Sequence, residues 1–223
     1  MNEDLSALQR LLDQRYSCRG FLEKPVPQAT IEEIVKTSQK VPSWCNSQPW
    51  QLAICSPEKT KVLADALTEA AMGGMQSPDV GFPKRYQGVY KERRSICGWQ
   101  LYDAVGVTKG DREASHKQMI QNFRFFGAPQ VAVVTTPKEL GAYGAVDCGA
   151  FVTAFTLTAQ GLGVATIAQA AVAGIAPVVR EKLGLSFDRD ILCAISFGYE
   201  DKDHPANQFR THRAECADVI DWH

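Results

Sequence analysis

The chain has 223 residues, 45% of them apolar, and its 24 basic side chains against 25 acidic ones give a formal net charge of −1. That length suits one domain with a full core, and the charge balance offers neither a basic surface for nucleic acid nor an acidic tail. Seven cysteines without a C-x-x-C pair fit a reducing compartment better than a disulfide framework.

The N-terminus, Met1-Asn2-Glu3-Asp4, lacks the basic and apolar regions of a signal peptide. Leu5, Leu8, Leu11 and Leu12 fall at helical spacing and predict a first helix ending near Arg15. Thr30-Ile31-Glu32-Glu33 reads as a capping box, placing a second helix from Thr30 to about Lys40. Trp50–Cys55 reads as a strand, after which Ser56-Pro57 starts a helix that Gly73-Gly74 ends near Met72. Residues 75–94 show no clear periodicity, and shorter helices are expected over Ile96–Val105 and Arg112–Asn122. Gln130–Thr135 and Ile191–Phe197 read as buried strands. Between them Val146–Gln160 is apolar on nearly every face, as in a helix buried by sheet and partner. The stretch Val164–Val179, interrupted by Gln169, Gly174 and Pro177, is too weak for a membrane span, so cytoplasm is the expected address. Mixed elements without regular βαβ alternation predict an α+β fold.

Two motifs carry chemistry. Arg15-Tyr16-Ser17-Cys18-Arg19 places two guanidinium groups around a hydroxyl, a combination that matches phosphate oxygens. The competing reading is a solvated helix end with two surface arginines. Pro42-Ser43-Trp44-Cys45-Asn46-Ser47-Gln48-Pro49-Trp50 offers a hydroxyl and two amides, which suit a flat heterocycle bearing carbonyls and ring nitrogens. Here the competing reading is core packing of Trp44 and Trp50. Phosphate at one end and a planar ring at the other describe a mononucleotide such as FMN.

These motifs resemble the FMN-binding signatures of the nitroreductase family. The resemblance extends through Phe126-Gly127-Ala128-Pro129, Asp147-Cys148-Gly149 and Gly161-Leu162-Gly163 to Gly198-Tyr199, Pro205-Ala206-Asn207 and Arg210-Thr211-His212-Arg213. It implies a central, mostly antiparallel sheet wrapped by helices, in an intertwined homodimer with two FMN sites at the interface. It assigns Arg15, Tyr16, Ser17 and Arg19 to the phosphate end, joined by Arg213 and, as a weaker match, Arg210. Thr211 stands where some members carry lysine. Pro42, Ser43, Trp44 and Asn46 would contact the ring and ribityl chain of the opposite subunit's FMN. Thr166, Ile167, Ala168 and Gln169 would pass the flavin's reactive edge, where a backbone N–H faces N5; many members carry Glu-Gly at Ala168-Gln169. On composition alone this last segment reads as a turn between helices.

The implied activity is transfer of a hydride from NADH or NADPH through flavin N5 to nitroaromatic or quinone acceptors, by ping-pong kinetics. The excursion at about 75–125, within a single domain spanning 1–223, would lid the flavin, with Phe123 and Phe125 against a small aromatic acceptor. Its run from Tyr86 to Asp111 resembles the subgroup that includes nitrobenzoate reductases. The alternatives are a reductase of enones or free flavins, and a flavin-binding protein without nicotinamide turnover. Catalysis would rest on the flavin rather than on a side chain. The four histidines are scattered and form no metal motif. There is no G-x-G-x-x-G loop and no G-x-S-x-G elbow. Cys45 reads as a small packing residue.

Overall fold

The computed structural model describes residues 2–223, so Met1 lies outside it. Seven helices and five strands are formed in chain order: α1 Glu3–Gln14, β1 Phe21–Leu22, α2 Gln28–Ser38, β2 Gln51–Cys55, α3 Pro57–Met72, α4 Gly88–Ala104, α5 Arg112–Ile120, β3 Gln130–Pro137, α6 Gly141–Gly161, β4 Ala165–Gln169, α7 Ala176–Leu183 and β5 Arg189–Glu200. The order β1-β5-β3-β2, with β4 also on β5, is antiparallel at every pairing. The predicted α+β architecture is the one observed.

The central strands are apolar at Val131–Val134 and for most of Ile191–Phe197 because both faces of the sheet are covered. Val131 and Val133 of β3 join a cluster with Leu63 and Leu67 of α3 and Val179 of α7. Ala132 and Val134, one residue out of phase, join Ile34 of α2 with Cys148, Phe151 and Phe155 of α6. This is the period-two alternation of a strand, with a core on each side. Trp50 stacks on Phe151 at 5.2 Å, so its role is packing.

Local signals place some helix ends and miss others. Ser56 accepts from the Lys59 N–H at 3.3 Å, and α3 spans the expected residues. The capping box at Thr30 is not formed: α2 starts at Gln28, after Pro27, which puts Thr30 inside the helix. α4 starts at Gly88 rather than Ile96 and buries none of its residues, which removes the periodicity that would reveal it. The 166–169 segment is strand β4, not a turn between helices.

Among the described residues one run, Lys138–Gly161, is long and apolar enough to cross a membrane. It lies across the sheet, with Cys148, Phe151, Phe155 and Ala159 turned inward at helical spacing. Gly144 allows the close approach, since a Cβ there would stand 2.5 Å from Thr136 Oγ1. The outer face remains apolar and exposed at Tyr143 and Val146. Nearby, α1 buries no residue and leaves Leu5, Leu8 and Leu12 exposed.

Phe155 is fully buried and makes ring contacts with Phe151 and Phe197. Phe155→Ala should therefore cost about 3–5 kcal/mol through the cavity it leaves. A urea midpoint lowered at unchanged slope is the expected result.

Candidate active site

α1 ends at Gln14, and Arg15 turns to extended backbone (φ −71°, ψ 136°). The chain then runs beside β4: Ser17 bridges Thr166 in parallel, and the Cys18 N–H donates to Thr166 O at 3.0 Å. Extended backbone puts alternate residues on one side. Arg15, Ser17 and Arg19 accordingly reach one cavity, whose wall Tyr16 also joins, while Cys18 is fully buried. Burial pushes the Cys18 thiol up to about 11, which makes it inert.

The end of the chain returns to this segment through Asn207, which is 2% exposed. Its Oδ1 accepts from the Arg19 N–H at 2.7 Å, and its Nδ2 donates to Gly20 O at 2.9 Å and Asp201 O at 2.8 Å. Gly20 is required by the same contact, because a Cβ would stand 2.2 Å from His204 Cγ. Beyond this clamp, Arg210 and Arg213 enter the cavity, which measures about 250 Å³ and is also lined by Tyr16, Cys97 and Phe209.

Among the described residues, none of Arg15, Arg19, Arg210 and Arg213 is ion-paired with a carboxylate. Burial, and then the charge of Arg213, holds the Arg15 guanidinium below its ordinary pKa; burial does the same at Arg19. Arg19 lies 5.8 Å from the centroids of Phe126 and Phe209, and Arg210 lies 3.6 Å from that of Tyr16. Tyr16 also donates a short hydrogen bond to Glu200, and burial with that bond raises its pKa. Asp13 also lines the cavity but pairs with none of them, and four guanidinium groups in excess of one carboxylate form a binding site for a multiply charged group such as phosphate. The cavity is smaller than the roughly 300–1,000 Å³ of complete small-molecule sites. It suits the phosphate of a nucleotide, whose ring must then find cover elsewhere.

The second motif forms a tight loop on α6. Both carboxylate oxygens of Asp147, a residue 8% exposed, accept from the Trp44 N–H at 3.1 Å, and one accepts from Ser47 Oγ at 3.3 Å. Cys45, Asn46 and Gln48 have φ of 50°, 55° and 47°. Such left-handed conformations cost residues other than glycine free energy unless their surroundings impose them. Cys45 is exposed rather than packed, which corrects its sequence reading. Pro42 and Asn46 are exposed and Ser43 is half-buried, while Trp44 is 64% exposed and touches Tyr143 at 5.1 Å. Trp44 is thus no core residue.

The 166–169 segment lies beside the first motif. Thr166, Ile167 and Gln169 are buried, and Ala168 is exposed. The Gln169 side chain is spent inside the fold, donating to Asn122 O at 2.8 Å and accepting from Ser196. Phe123 and Phe125 do not line an open pocket: they are 7% and 0% exposed, within the cluster around Leu63 and Leu67. Their burial corrects the expectation that they face an acceptor.

Neither motif assigns a role to Asn207 or Asp147. Asp147 did carry a signal, as a lone acid in an apolar helix, because a buried carboxylate needs donors. The clamp made by Asn207 had none, since its partners lie 188 and 187 residues away.

An arginine-lined anion site made by both ends of one chain, beside an α+β sheet and an indole–amide loop, defines a nucleotide-binding enzyme fold. The chain belongs to the nitroreductase family, whose model matches residues 12–199. It is 33% identical over 216 residues to nitroreductase NfnB of Mycolicibacterium smegmatis, covering 96% of this chain and 91% of the relative. A 4-nitrobenzoate reductase of Nocardioides is 31% identical, over 90% of this chain and 83% of its own. The crystal structure of the FMN-dependent nitroreductase NfnB from Mycobacterium smegmatis in complex with NADPH superimposes with a TM-score of 0.95 at 30% identity, covering 99% of this chain and 100% of that one.

Removing one guanidinium should weaken binding of a phosphorylated ligand without unfolding the chain. For Arg19→Ala a loss of about 2–4 kcal/mol is expected. Fluorescence titration with FMN measures it, and an unchanged affinity would remove Arg19 from the site.

Proposed function

We propose that this chain is an FMN-dependent oxidoreductase that uses NADH or NADPH to reduce nitroaromatic or quinone acceptors, working as a cytoplasmic homodimer. The observation that carries the reading is the convergence of Arg15, Arg19, Arg210 and Arg213 on one cavity without carboxylate partners. FMN held by these arginines would supply the hydride chemistry at its ring N5, and nicotinamide and acceptor would use the same face in turn, which makes the expected kinetics ping-pong.

The chain's own residues bind, orient and cover. Arg15, Arg19 and Arg213, with Ser17, hold the phosphate; Arg210, stacked on Tyr16, adds charge at its rim. β4 pairs with β5 along one side, and Ser17 meets only Thr166 on the other. An edge strand directs alternate backbone N–H groups outward. Donors near Ile167–Gln169 therefore serve the ring without any particular side chain, consistent with a Gln169 engaged inside the fold.

Cover for the ring comes from a second subunit. The 250 Å³ cavity accounts for the phosphate end, while the Pro42–Asn46 loop offers an exposed indole, in ring contact with Tyr143, and an exposed amide. The apolar outer face of α6, close to this loop, supplies the surface for a partner and is better satisfied by protein than by lipid, because the inner face already packs a soluble core. The excursion at 75–125 forms a lid: α4 buries nothing, exposes Tyr86, Tyr90 and Trp99 nearby or within it, and sits among Lys84, Arg85, Lys91, Arg93 and Arg94. Such a surface suits planar acceptors carrying nitro or carboxylate groups.

Two experiments test this. The purified protein should show a flavin absorbance band that NADPH or NADH bleaches anaerobically; a colourless protein that FMN does not bind would end the proposal. Mixed and refolded Arg19→Ala and Asn46→Ala subunits should regain activity, because one site of each heterodimer carries both lesions and the other none. A flavin-loaded, active monomer in light scattering would refute the shared site.

A further inference from the structure

We infer that Asp147 is a positioning residue for the flavin ring: from the middle of α6 it fixes the shape of the loop that covers the ring, and does so independently of the phosphate site. This rests on the FMN reading above. Asp147 is the acidic residue within the helix Gly141–Gly161, and its carboxylate is directed at the loop rather than at a basic side chain. Three hydrogen bonds from Trp44 N–H and Ser47 Oγ hold the entry and the far side of a turn in which Cys45, Asn46 and Gln48 are all left-handed. A turn with that many unfavourable residues keeps its shape only while something over-determines it.

The rest of the loop's support shows what Asp147 alone contributes. Ser43 Oγ accepts from the Gln48 N–H at 3.0 Å, which closes the loop on itself without orienting it. Arg189 Nη2 donates to Pro49 O at 2.7 Å and ties the loop's exit to β3, where the same group also bonds Thr135 O. Trp50 stacks on Phe151 of α6 just past the loop's exit, so within the loop itself the contacts that set the angle of Trp44 and Asn46 relative to α6 are those of Asp147, with the Trp44–Tyr143 ring contact beside them. Without Asp147 the exit stays anchored, and the freed Trp44 N–H lies in an exposed loop where water replaces its acceptor. The loss then falls on loop geometry rather than on the fold.

A charged acceptor on the dimer-facing helix thus sets one half of the site, and the arginines set the other. The two halves touch different parts of one ligand, so they separate by ligand choice. Riboflavin carries the ring and ribityl chain but no phosphate.

The experiment titrates FMN and riboflavin into full-length protein stripped of flavin, for the wild type, Asp147→Ala, Asp147→Asn and Arg19→Ala, with thermal melts of each apoprotein. Asp147→Ala should weaken FMN and riboflavin by a similar factor, about tenfold, as expected for hydrogen bonds to a charged group that act through loop geometry. The ratio of the two affinities should stay at the wild-type value. Asp147→Asn, which keeps one acceptor oxygen, should recover part of the loss at the same ratio. Arg19→Ala should weaken FMN alone. Unchanged flavin affinities in a folded Asp147→Ala protein, or a loss confined to FMN, would overturn the inference. So would equal loss of flavin binding and of apoprotein melting temperature in both Asp147 variants, which would mark a purely structural residue. Wild-type protein that binds neither flavin would instead bring down the functional reading itself.

Discussion

The site depends on a neutral side chain tying the two ends of the chain together. Asn207 bonds the backbone of Arg19 and Gly20, and with Gly20 packed against His204 it brings the last segment onto the first. Like charges are expensive to gather, and burial has already lowered the affinity of Arg15 and Arg19 for their protons. Two arginines from one end and two from the other stay together because uncharged bonds, not their own interactions, fix the backbones that carry them. The free energy invested in the clamp is recovered when an anion with two charges arrives.

The sheet plays the corresponding part for the ring. β5 is shared by β1, β3 and β4, so the short strand that follows the arginine motif, the strand beside that motif and the core strand are all held to one strand. α6 crosses the other face and carries the loop. The two motifs therefore stand on different supports, one along the β4 edge and the other on α6.

What could be read from the sequence was what neighbouring residues decide. The ends of α3 were legible because an N-cap serine, a proline and a glycine pair agree. The arginine motif was legible because guanidinium chemistry belongs to the residue type. β4 was not, since a five-residue strand exists only by pairing with β5 thirty residues away. The start of α4 was hidden because a helix that buries nothing leaves no apolar stripe. Phe123 and Phe125 were recognised as aromatic, but which side of the chain they face is decided by α3 and by the left-handed turn at Phe125 and Phe126. Asp147 acts on residues 100 and 103 positions before it, which no local pattern encodes.

α1 has twelve residues and buries none of them, and isolated helices of that length are marginal in water. Its order rests on the packing of Leu11 beside Gly161 of α6 and on whatever covers Leu5, Leu8 and Leu12, and Arg15 follows directly at its end. In a homodimer that covers these leucines, dilution would loosen the helix and the first phosphate ligand with it. Retention of the cofactor then becomes a function of protein concentration, and the chain would release its flavin as its subunits part.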